Sequence, residues 1–202
     1  MHRGMIAAAA MTGPTFYYDF NSPYAYLAAH RVDDVLPVRA RWEPIAFGAL
    51  IRQIGKVPWS LQPGPDRDRR LRECEQRADA LGLPLRWPSG WPDRNYSILV
   101  LRAALVAAEH DRLREFSLAA FRRGLGEGGD LRDLDTVLSC ARDAGIDSDG
   151  VARRVEEPEV KQQLRAATDA AIARGVTAVP TVAVGEALFW GDDRLEDAAA
   201  AC

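Results

Sequence analysis

An α/β fold interrupted by a long helical block is predicted by three features of this 202-residue chain. A continuous aromatic run, Thr15-Phe16-Tyr17-Tyr18-Asp19-Phe20, reads as a buried strand and leads directly into a helix start at Ser22-Pro23. Residues 66–174 then carry only helical periodicity. After Gly175 the strand character returns, with Thr177-Ala178-Val179-Pro180-Thr181-Val182 ahead of a hairpin.

Taken in order, Phe16 to Phe20 is continuous and aromatic, as a strand buried on both faces requires. Ser22 suits an N-cap, because its oxygen accepts an orphan backbone N–H, and Pro23 suits the first helical position. The helix is expected to run to about Leu36, with Tyr26, Leu27, His30 and Val35 facing inward. Val38-Arg39-Ala40-Arg41-Trp42 alternates apolar and polar, the period of a half-buried strand. Glu43 to Pro65, rich in Gly and Pro, reads as loop with a short helix over Ala46–Ile54. Helices are expected over Asp66–Leu81, from Ile98 through Ala108, over Arg112–Leu125, from Leu134, over Asp147–Val155 and over Pro158–Arg174. Glycines 124 to 129 lack a preceding strand and a phosphate-loop lysine, and read as a linker. Thr181–Gly185 and Ala187–Trp190 form a hairpin about a Gly185-Glu186 turn, and Gly191-Asp192-Asp193 opens a terminal helix.

The resulting order is β-α-β, a helical block, then α-β-β-α. It matches a thioredoxin fold with an inserted all-helical domain. Residues 1–14 are expected to be a disordered extension, 15–65 and 175–202 the thioredoxin-like domain, and 66–174 the insertion.

Composition narrows the function. With 48% hydrophobic and 27% charged residues the chain is an ordinary globular one, and a net charge of −3 leaves no footprint for nucleic acid. No segment is long and apolar enough to suggest a membrane partner. In Asp66-Arg67-Asp68-Arg69-Arg70 the alternating charges read as a solvated helix face. The three cysteines, Cys74, Cys140 and Cys202, have neither redox-motif nor metal spacing, so a reducing, cytoplasmic setting is expected. His2, His30 and His110 are too scattered for a metal site.

Ser22 has a plain reading as a helix cap. Its functional reading is a hydroxyl at a strand-to-helix turn, where free N–H groups and the helix dipole favour an anion. A thiol held there, with a pKa of roughly 8.5 in water, would shift toward thiolate and take a charge-assisted hydrogen bond from Ser22. No His/Asp pair is visible to make Ser22 itself a nucleophile. Val179-Pro180 reads plainly as a strand start. In a thioredoxin-like site the bond is cis and Val179 reads a cysteinyl peptide through its backbone. Gly191, Asp192 and Asp193 cap a helix or receive a glutamyl group. Tyr24, Trp59 and Trp91 are candidates for an apolar acceptor pocket, with Trp87 beside them and Asn95 as a polar member. Lys56 and Arg94 could meet a substrate carboxylate, although solvation explains both.

These segments together resemble the 2-hydroxychromene-2-carboxylate isomerase and kappa-class glutathione transferase family, a branch of the DsbA-like thioredoxin superfamily. The residues carrying the resemblance are Asp19-Phe20-Asn21-Ser22-Pro23-Tyr24, Val176-Thr177-Ala178-Val179-Pro180-Thr181 and Phe189-Trp190-Gly191-Asp192-Asp193-Arg194-Leu195. The resemblance implies glutathione, or another small thiol, held at Ser22 with Lys56, Val179, Pro180, Gly191, Asp192 and Asp193 binding it. It also implies a small aromatic substrate and a homodimer. Lys56 stands where the family has a glutathione-contacting asparagine, and Asp192 where it often has Ser or Asn. The competing readings are a DsbA-type disulfide oxidoreductase, opposed by Ser22 and Ala25 at the two cysteine positions, and a thiol- or peptide-binding module without a reaction.

Overall fold

The structure, a computed structural model, describes residues 13–92 and 96–202. The expected N-terminal extension therefore lies outside the described residues as far as residue 12, as do Arg94 and Asn95. Strands β1 (Thr15–Tyr18), β2 (Arg41–Pro44), β3 (Thr181–Val184) and β4 (Ala187–Trp190) form one sheet in the order β2-β1-β3-β4. β1 runs parallel to β2 and antiparallel to β3, with Phe16 opposite both Trp42 and Val182. The parallel pair is closed by α1 (Pro23–Ala29) and α2 (Val32–Val35). Between the two halves of the sheet lie α3 (Phe47–Gln53), α4 (Pro65–Ala80), α5 (Ile98–Glu109), α6 (Leu113–Phe121), α7 (Leu134–Asp143), α8 (Ser148–Arg154) and α9 (Pro158–Ala173), and α10 (Leu195–Ala200) ends the chain.

The two-residue period of β1 sorts its side chains between two cores. Phe16, Tyr18 and Val182 join Tyr26, Leu27, Leu101, Phe121 and Leu195 on one face. Tyr17 and Ala183 join Leu50 and Ala171, from α3 and α9, on the other. The first core passes without a break from the sheet into α5, α6 and α7. A buried bond of 2.6 Å between the Tyr18 hydroxyl and Ser117 Oγ of α6 fastens it, and the Ala46 amide donates to Thr168 Oγ1 of α9 at 3.0 Å.

Three local expectations are corrected. The first helix stops at His30 and restarts after Arg31, whose guanidinium reaches the Asp192 carbonyl at 3.2 Å and pairs with Glu196. β2 begins at Arg41 rather than Val38, which is half exposed, because the register with β1 starts at Thr15↔Arg41. The glycines at 124 and 126 are buried parts of a π-helical turn over Arg122–Gly126 and not a linker. A Cβ at Gly124 would stand 2.7 Å from Leu131 Cδ1, so glycine permits a close approach there.

Candidate active site

β1 ends at Tyr18, and Asp19 then organises the turn below it. One Asp19 carboxyl oxygen accepts the Asn21 amide at 2.9 Å, and the other accepts the Phe47 amide at 2.8 Å. Burial holds this carboxyl above the usual carboxylate range, against those two bonds and one from Ser97. Asp19 thereby ties the Ser22 turn to the start of α3.

Ser22 Oγ accepts the Ala25 amide at 3.2 Å and donates to the Val179 carbonyl at 3.3 Å. These two residues, 157 positions apart in sequence, thus stand face to face. Val179 lies just beyond the paired part of β3, whose register starts at Thr181, and the Val179–Pro180 bond is cis. The Gly191 amide donates to the Pro180 carbonyl at 3.0 Å, which brings the β4–α10 turn alongside. Gly191 has φ +119, a conformation that L side chains rarely adopt.

Ser22 and Val179 open on a cleft of about 250 Å³ that Tyr24, Lys56, Trp59 and Trp91 also line. Trp59 meets Tyr24 and Trp91 edge-on, at 6.0 and 6.3 Å between ring centroids. The Trp91 indole N–H donates to the Asn21 carbonyl at 3.0 Å. Trp87 stays outside the cleft. Its ring packs tilted behind Trp91, 4.5 Å between centroids, and its indole N–H donates to Glu75, so its role is support. Lys56 is exposed at the cleft edge, and Pro180 is buried behind Val179.

Beside the cleft lies a second cavity of about 320 Å³, lined by Gly191, Asp192 and Asp193 with Glu73 and Arg77 of α4. Asp192 is buried and paired with Arg77 at 2.7 Å, while Arg77 also holds Glu73 at 2.5 Å. Burial raises the Asp192 carboxyl and Arg77 opposes that rise. The negative charge at Asp192 is thus met by a cation from another element, Arg77 of α4. Asp193 is 61% exposed, and its carboxylate lies 3.9 Å from the same Arg77 guanidinium.

Sequence reasoning missed Arg70, Arg77, Phe47 and Trp190, all of which line one or both cavities. The available signal was spacing on α4: Arg70, Cys74 and Arg77 recur at helical intervals and share the face that meets Tyr24. Cys74 is buried and its thiol is pushed up to about 12, chiefly by burial. No cysteine is among the described residues lining either cavity.

The chain matches the DSBA-like thioredoxin domain family over residues 15–202. A curated relative, the 2-hydroxychromene-2-carboxylate isomerase of Sphingobium xenophagum, is 30% identical over 185 residues, covering 90% of this chain and 93% of the relative. The chain belongs to the DSBA-like thioredoxin family, in its 2-hydroxychromene-2-carboxylate isomerase and kappa-class glutathione transferase branch. Human glutathione S-transferase kappa 1 is 24% identical, with 89% of this chain and 86% of that protein covered. A solved 2-hydroxychromene-2-carboxylate isomerase structure superposes with a TM-score of 0.77 at 22% identity, over 90% of each chain. This branch and the observed sheet order agree on a thioredoxin fold, with α3 to α9 inserted between β2 and β3. Among the described residues no helix is long and apolar enough to cross a membrane, and no cluster of three or more His, Cys, Asp or Glu could hold a metal ion.

Proposed function

We propose that this chain is a thiol-dependent isomerase, or a kappa-like transferase, using glutathione or a similar small thiol. Its acceptor is an aromatic or enone-type carboxylate such as 2-hydroxychromene-2-carboxylate, the substrate named for its relatives. The observation that carries the reading is the Ser22 hydroxyl facing the Val179 carbonyl at 3.3 Å on the wall of an aromatic cleft. When bound, the thiol cofactor supplies a nucleophilic sulfur whose addition turns the acceptor's double bond into a rotatable single bond until elimination restores it.

The residues present suit such a cofactor. Ser22 can turn its O–H from the Val179 carbonyl to an incoming sulfur and stabilise the thiolate by a charge-assisted bond. Val179, outside the ladder, offers backbone groups to an extended carrier. The second cavity sets Arg77 and Arg194 against Glu73, Asp192 and Asp193, a mixed surface suited to the zwitterionic end of a γ-glutamyl peptide. Tyr24, Trp59 and Trp91 supply flat apolar walls and exclude water from the reacting carbons. A disulfide-exchange reading lacks a thiol at both turn positions, Ser22 and Ala25, and lacks one in the cavity linings. A homodimer and a cytoplasmic setting accompany the proposal, the latter consistent with three unpaired cysteines.

Titration with glutathione at neutral pH, read by thiolate absorbance, tests the proposal. Wild type is expected to develop the signal and Ser22→Ala to lose most of it. No signal with glutathione or any other small thiol would leave a binding module in place of an enzyme.

A further inference from the structure

Among the described residues lining the aromatic cleft, the only charged side chains are Lys56 and Arg70. Both are cations, in a chain whose net charge is −3. They are not equivalent. Lys56 is exposed, so water competes for its ammonium group. Arg70 is half-buried and held on two sides. Its Nε–H donates to Asp66 Oδ2 at 2.9 Å, and its guanidinium carbon lies 5.8 Å from the centre of the Trp59 ring. The Tyr24 hydroxyl also interacts with it. A planar fork fixed along one edge by a carboxylate and across one face by an indole keeps its remaining N–H donors in a defined direction. Arg70, Tyr24 and Trp190 line both cavities, so those donors stand where the two meet.

We infer that Arg70 determines acceptor specificity by pairing with the carboxylate of a planar aromatic molecule seated against the cleft's indole walls. A neutral molecule of the same shape would keep the stacking and lose the ion pair. The inference rests on the thiol-enzyme reading for the acceptor's role, but binding without any thiol tests it. Intrahelical pairing alone does not account for Arg70. Arg69 reaches the same Asp66 at 2.5 Å and Glu73 at 3.6 Å, yet it lines neither cavity. Arg69 is therefore a built-in control.

The experiment follows quenching of tryptophan fluorescence by cinnamate and by cinnamide, its neutral amide, with no thiol present. Wild type, Arg70→Gln, Arg70→Lys and Arg69→Gln are compared, with circular dichroism verifying the fold of each. Wild type is expected to bind cinnamate about tenfold tighter than cinnamide, as one charge-assisted contact implies. Arg70→Gln should abolish that preference by weakening cinnamate while leaving cinnamide within about twofold. Arg70→Lys should restore part of the preference, and Arg69→Gln should keep all of it. The inference is overturned if wild type binds neither probe, binds both equally, or if Arg70→Gln retains the preference. It is equally overturned if, in a separate titration with glutathione, Arg70→Gln weakens glutathione binding while both probes bind as to wild type, since the carboxylate read would then be the cofactor's. Failure of the thiol-enzyme reading appears separately, as loss of the Ser22-dependent thiolate signal.

Discussion

A carboxylate stripped of most of its water needs a cation or a proton, and Asp192 has Arg77 at 2.7 Å. Removing only the cation leaves the cost of burial without its offset. Arg77→Met is therefore expected to lower stability by about 2 kcal/mol, less than for a fully enclosed pair because Arg77 is partly solvated. Adding Asp192→Asn should recover a good part of that loss. Urea denaturation of the single and double variants decides it, and a double variant no more stable than Arg77→Met refutes the pairing account. At this scale Ser22, Val179 and Gly191 were legible, because each sits at a turn whose backbone chemistry is written locally. Arg70 and Arg77 were not. A charged helix face reads as solvated until something packs against it, and the Tyr24 ring that covers this one lies far away in sequence.

Elements whose ends carry a cap were read closely. Asp133 accepts the Thr136 amide at the start of α7, and Asp147 accepts the Asp149 and Gly150 amides at the start of α8. The glycine segment was misread because composition cannot separate a hinge from a tight contact. A Cβ at Gly129 would lie 2.7 Å from the Arg123 carbonyl oxygen, a backbone atom of the π-helical turn that cannot rotate away. Gly129→Ala is accordingly expected to cost about 1–3 kcal/mol, the range of an overpacked site. Thermal denaturation monitors it. An unchanged melting temperature would mean that the segment is the linker its composition suggests. The break between α1 and α2 has no Gly or Pro to announce it. It coincides with Arg31 reaching Asp192 and Glu196, partners that only the terminal turn provides.

At the scale of the whole molecule, one core runs from the sheet through the helices inserted in it. Tyr18, Phe20 and Phe121 pack ring to ring across the junction at 4.9 to 5.8 Å, and the Tyr18–Ser117 bond is buried with them. Splitting the blocks would expose these aromatics together, at a free-energy cost that favours a single transition. Calorimetry is expected to give one unfolding endotherm whose van't Hoff and calorimetric enthalpies agree. Two resolved endotherms would mean that the insertion melts on its own.

By itself the sequence determined the order of strands and helices, the serine in the cysteine's place, and the family. All of these are written in local pattern, where neighbours along the chain supply the physics. Only the tertiary structure decided which distant groups share a cavity: Val179 against Ser22, Arg77 on Asp192, and Arg70 between two hollows. Such encounters depend on the three-dimensional path of the chain, which side-chain periodicity does not encode.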